Sequence, residues 1–148
     1  MDKVAPVLVI LVVGALVALQ GPTNALVGRA AAAPVYGVLA SLAVSTALVG
    51  AVALAWPVRP QPGALLALPW YAWLGGVYGA VILLGAVVAV PKLGAGPALV
   101  AALLAQTAFG LAIDHFGLFG LPPTPATPLK LGGLAVMVGG ALMIAIKR

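Results

Sequence analysis

Asp114 and His115 stand side by side; one is the only acid beyond Asp2 and the other is the only histidine. A carboxylate beside an imidazole can relay protons across a membrane. The same pair can also do no more than cap or pair at a helix end. Gln106 and Thr107 lie two turns earlier, and Gln106, Gly110 and Asp114 step by four along one slowly drifting helical face. A second polar group gathers at Gln20, Pro22, Thr23 and Asn24, followed by Arg29. Gln20 and Asn24 are one turn apart and would present amides on one face. Pro22 has no backbone N–H and should free the carbonyl of Ala18. That stretch either exposes backbone to a cavity, as in the broken helices of transporters, or ends the first helix early, with Asn24 capping the residues after it. Nothing in this set builds a catalytic triad, a metal site or a carboxylate pair, and no glycine-rich phosphate loop follows a strand. No catalytic residue, metal or cofactor is expected, and the chain is not expected to be an enzyme.

The elements that must position these side chains are helices in lipid. Hydrophobic residues make up 64% of the sequence and charged residues 6%, whereas a soluble domain carries about a quarter charged residues. Such a chain cannot coat a water-facing surface. Five apolar segments follow one another, at about 4–27, 34–56, 70–90, 95–116 and 129–146. Each is near the length that spans ~30 Å at ~1.5 Å per residue, so residues 1–148 are expected to form a single transmembrane domain. Period-2 patterning is absent, which argues against a membrane β-barrel. Pro57, Pro60, Pro62 and Pro69 mark one loop, Pro122, Pro123, Pro125 and Pro128 another, and Pro91 the short third connection. Lys3 before an apolar run imitates a signal peptide, but no small-x-small cleavage pattern comes after Leu19.

The net charge of +5 does not indicate nucleic acid, because the basic residues sit one or two at a time between apolar runs. Five crossings place Lys3, Arg59 and Lys130 on one side and Arg29, Lys92, Lys147 and Arg148 on the other. Three against four is almost no instruction to the positive-inside rule. The chain is therefore expected to insert both ways up and to pair as an inverted homodimer, building in two copies the inverted repeat that larger transporters build in one. The alternative is a parallel dimer whose orientation another factor fixes. Arg29 and Asp114 fall on opposite sides of one copy and would share a leaflet boundary only across an inverted pair. The absence of cysteine excludes disulfides and thiolate chemistry.

Small residues mark packing faces. Gly14, Ala18, Gly21, Ala25 and Gly28 form one stripe on the first segment, and Gly132, Gly133, Gly139 and Gly140 repeat at seven on the fifth. Such stripes let helix backbones approach in lipid; the fifth packs either within one subunit or against a second copy. Tyr36, Trp56, Trp70, Tyr71 and Trp73 fall near predicted helix ends, as in an aromatic belt. Tyr78 lies deeper and is a candidate for a cavity wall.

Three stretches resemble a known family: Gln20-Gly-Pro-Thr-Asn24-Ala-Leu-Val-Gly28-Arg29, then Pro69-Trp70-Tyr71-Ala72-Trp73-Leu74-Gly75-Gly76, and Leu93-Gly94 followed by Gln106 and Ile113-Asp114-His115-Phe116-Gly117-Leu118-Phe119-Gly120. Together they look like the YdcZ-type branch of the drug/metabolite transporter (DMT) superfamily, over nearly the whole chain. The resemblance implies five helices per chain, equivalent to half of a ten-helix transporter. It also implies family members that occur as single chains, pairs or fused duplicates, and export across the bacterial inner (plasma) membrane. Gln20, Asn24, Arg29, Gln106, Asp114 and His115 match the family pattern; Gly21-Pro22 departs from it, where small helix formers are usual.

The expected protein is an all-α integral membrane transporter, an exporter of small molecules acting as an inverted homodimer by alternating access. Its partners are a second copy, membrane lipid and a small solute, with no nucleic acid. Gln20, Asn24, Gln106 and Tyr78 are expected to meet the solute, and Arg29, Asp114 and His115 to gate or pair charges. The rival expectations are a dual-topology channel and a membrane scaffold that transports nothing.

Overall fold

A computed structural model of the chain describes residues 4–146, so Asp2, Lys3, Lys147 and Arg148 lie outside the described residues. The described residues form helices and connecting loops, with no strand. Five helical spans are long and apolar enough to cross a membrane: Val4–Ala30, Pro34–Ala55, Trp70–Leu93, Ala95–Phe116 and Pro128–Ala145. The α-helices are α1 (Val4–Ala30), α2 (Pro34–Ala55), the short α3 (Pro62–Leu66), α4 (Gly75–Leu93), α5 (Ala95–Phe116) and α6 (Pro128–Ala145). A 3-10 turn, Trp70–Leu74, leads into α4 and completes the third span.

The boundaries expected from hydropathy are met within about three residues, and the differences have causes. Proline was expected to end helices, yet Pro22 lies inside α1 and Pro91 inside α4. The third connection is thus Gly94 alone, at φ +91, rather than a loop opened by Pro91. A helix ended early at Gly21-Pro22 is ruled out likewise, because α1 runs on to Ala30. Each proline costs its helix only one hydrogen bond, and in lipid an interrupted helix would leave several amides without partners.

The chain divides into two compact units, residues 1–92 and 93–148. In the first, a three-residue turn at 31–33 folds α2 back on α1. Gly21, Asn24, Ala25 and Gly28 are the buried residues of α1, and Gly37 and Val38 those of α2. The contact is therefore concentrated at the linked ends of the two helices. Its closeness depends on missing side chains: a Cβ at Gly28 would come within 3.0 Å of Pro34 Cα, and one at Gly37 would lie 3.1 Å from Gly28 N. α4 joins through side chains, with Val87 packed on Ala25 and Val38 and flanked by Leu42 and Leu83. The expected small stripe on α1 is thus half used. Gly21, Ala25 and Gly28 are buried, while a Cβ at Gly14 would meet nothing within 4 Å.

Ala25, Val38 and Val87 are the only buried apolar residues among those described. A soluble chain of this size would fail with so small a core. Here the outward Leu, Val and Ile side chains are left to lipid, and tight backbone approach supplies the packing that hydrophobic burial supplies in water.

In the second unit α5 and α6 pack together, joined by residues 117–127. Gly117 ends α5 in the left-handed conformation, φ +61, and its N–H reaches the Asp114 carbonyl at 3.4 Å. A Cβ there would also meet Pro123 Cγ at 2.8 Å. Thr127 caps α6, accepting from Lys130 N–H at 3.3 Å.

Candidate functional site

The polar stretch of α1 and two serines of α2 line one groove of about 270 Å³. Its walls are Thr23, Asn24 and Val27 from α1, and Gly37, Ala40, Ser41, Val44 and Ser45 from α2. The spacing explains the convergence. Ser41 and Ser45 are one turn apart, as are Thr23 and Val27, so each helix offers a continuous strip to the same space. By rise per residue, Ser41 lies ~10 Å and Ser45 ~16 Å beyond the start of α2, which carries the groove towards mid-membrane.

Asn24 is the only buried polar residue among those described, 8% exposed. Neither its amide nor the hydroxyls of Ser41 and Ser45 hydrogen-bonds within the described chain, yet no side-chain polar atom is fully enclosed without a partner. The free donors and acceptors are therefore not sealed inside the helix contact, and the residues that carry them line the groove. Thr23 is different: its hydroxyl donates to the Leu19 carbonyl at 2.9 Å and the Gln20 carbonyl at 3.0 Å, the turn that Pro22 disturbs. An unpartnered amide in an apolar medium costs on the order of 2–7 kcal/mol, so a groove lined this way calls for water or a hydrogen-bonding solute.

The remaining sequence candidates do not line this groove. Gln20 is half-buried and makes no side-chain hydrogen bond among the described residues. Gln106 is exposed on α5, and neighbouring Thr107 bonds back to the Leu103 carbonyl at 2.8 Å. Tyr78 is 56% exposed and lines neither the groove nor the second cavity, at Arg29. Arg29 lines that cavity beside Lys92. Within the second unit, Asp114 and His115 sit at the end of α5, where their hydrogen bonds organise the proline-rich loop. The Asp114 backbone carbonyl accepts from Thr124 N–H at 2.7 Å, and His115 Nδ1 accepts from Ala126 N–H at 3.2 Å. Lys130 Nζ donates to the Pro125 carbonyl at 3.0 Å. The Asp114 carboxylate forms no ion pair among the described residues.

Sequence reasoning missed Ser41 and Ser45. Their four-residue spacing was a visible signal, but serine is small enough to pass as a packing residue in an apolar run. Only its position opposite Asn24 gives it meaning.

The chain matches the family described as "putative inner membrane exporter, YdcZ" over residues 5–143. No curated protein and no solved structure matches it. The match takes in all five spans almost entire. Apolar helices, an uncharged polar groove and this coverage lead to one assignment: the chain belongs to the YdcZ family and is a multi-pass protein of the inner membrane.

Proposed function

We propose that the chain is a secondary exporter of small solutes, working as an inverted homodimer by alternating access. The observation that carries this reading is the unpaired Asn24 amide facing Ser41 and Ser45 across an open groove. Packing alone has no use for such groups; a solute that binds through neutral hydrogen bonds does. Two further observations favour a pair. The near-equal charge of the two sides gives either orientation. On α6, Gly132, Gly133, Gly139 and Gly140 form a small-residue face that α5 does not fill within the second unit, the kind of face on which a second copy packs. Asn24 binds solute, helped by Gln20, Gln106 and Tyr78 where the second copy completes the cavity, and Arg29 and Asp114 meet as charged gates across the pair.

Solute flux into proteoliposomes tests this. Asn24→Leu keeps the branched shape at Cγ and removes the amide. Flux is expected to saturate with solute for the native chain and to fall at least about tenfold in the variant, with helicity unchanged, since one lost hydrogen bond in a polar site is worth ~1.5 kcal/mol or more. Flux that rises linearly with concentration would indicate a channel. Flux equal in the variant would remove Asn24 from the site, and no flux in either would leave a scaffold.

A further inference from the structure

Arg29 and Lys92 line a second cavity of about 510 Å³ in the first unit, with Ala25, Ala33, Pro34 and Val88 among its walls. Neither cation has an ion-pair partner among the described residues. Each sits in the last turn of its helix, where backbone carbonyls favour positive charge. That accounts for one cation at each helix end but not for two in one cavity. The carbonyl ends of α1 and α4 contribute about half a negative charge each, and the amide end of α2 at Pro34 about half a positive one. The cavity keeps a net positive charge of more than about one. A carboxylate from a second copy, such as Asp114, neutralises only one of the two cations.

We propose that this cavity binds a phosphate-type oxyanion, presented as the headgroup of an anionic phospholipid. Arginine forks onto phosphate oxygens and lysine adds a point charge. The cations lie at the ends of two membrane spans, the depth at which headgroups lie, while the remaining walls are Ala, Gly, Pro and Val and suit the apolar glycerol and upper acyl region. A soluble anion would gain nothing from those apolar walls. The site is separate from the Asn24 groove, which has no charged residue. The proposal stands whether or not the chain transports.

The test uses the full chain in nanodiscs of phosphatidylcholine, with and without phosphatidylglycerol, reading the lipids retained by native mass spectrometry and the thermal midpoint. The native chain is expected to retain phosphatidylglycerol selectively. Arg29→Gln and Lys92→Gln should each weaken retention roughly fivefold, about the contribution of one basic residue at an anionic membrane surface. Arg29→Lys should keep most of it, and Arg59→Gln, outside the cavity, should stay within about twofold. Circular dichroism checks the fold; if Arg29→Gln does not fold, Lys92→Gln at its exposed helix end decides. Equal retention by the native chain and the cavity variants overturns the proposal, and so does equal weakening by Arg59→Gln. A second arm adds inorganic phosphate to discs of phosphatidylcholine alone. No shift in the midpoint supports the lipid headgroup, and a shift lost in the cavity variants overturns it in favour of a free oxyanion.

Discussion

Gly37 packs so tightly on Asn24 that a single methyl added to the glycine would overlap the Asn24 backbone carbonyl. This contact sets how far apart α1 and α2 lie at their linked ends, and hence how the Asn24 amide faces Ser41 and Ser45. Gly37→Ala must push the helices apart. Overpacking of this kind costs about 1–3 kcal/mol. The thermal midpoint in detergent should fall and the groove should lose function. Gly50→Ala, on the same helix in open space, is the control and should change neither.

Ser41 and Ser45 should act together. Each single alanine variant leaves one hydroxyl on the α2 wall, so flux should drop by only about three- to tenfold, the worth of one modest hydrogen bond. The double variant should approach the Asn24→Leu loss, with stability unchanged or slightly raised because unpaired hydroxyls have been removed. Initial rates across a solute concentration series would show the effect as a raised KM. A double variant with native kinetics would leave the α2 wall with no part in binding.

The loop between α5 and α6 depends on His115. Its Nδ1 accepts from Ala126 N–H, and Thr127 next to it caps α6. His115→Ala removes the acceptor, at a cost of about 1 kcal/mol, and Thr127→Ala removes the cap at a similar cost. Hydrogen exchange at residues 121–127 should accelerate in both variants. In contrast, Asp114→Asn should leave that exchange as it is, because the backbone carbonyl of Asp114 and not its carboxylate holds Thr124.

Orientation should be as finely balanced as the charge count. Three basic residues face four, so two added lysines on the lesser side, for example Gln61→Lys with Leu66→Lys, should tip the population one way. An impermeant maleimide on a single cysteine introduced at Gly63, in the same loop, should label about half of the native copies from each side, and nearly all of the biased copies from one. The biased chain alone should then be inactive, and co-expression with an oppositely biased chain should restore flux. Full activity of a uniformly oriented chain would end the inverted-dimer reading.

The residues alone determined the membrane class, the five spans and most of their limits, because the cost of exposing an apolar run or burying a charge is set along the chain, one residue at a time. Pro22 and Pro91 misled for a related reason: a local helix breaker is outweighed when lipid gives an interrupted backbone nothing else to bond. Asn24 was legible as a costly amide, but its partners were not. Which side chains face it depends on where two helices cross, and that crossing is set by Gly28 and Gly37 meeting backbone to backbone. The same holds for Arg29 and Lys92, 63 positions apart in sequence and brought to one cavity only because Val87 packs on Ala25 and Val38.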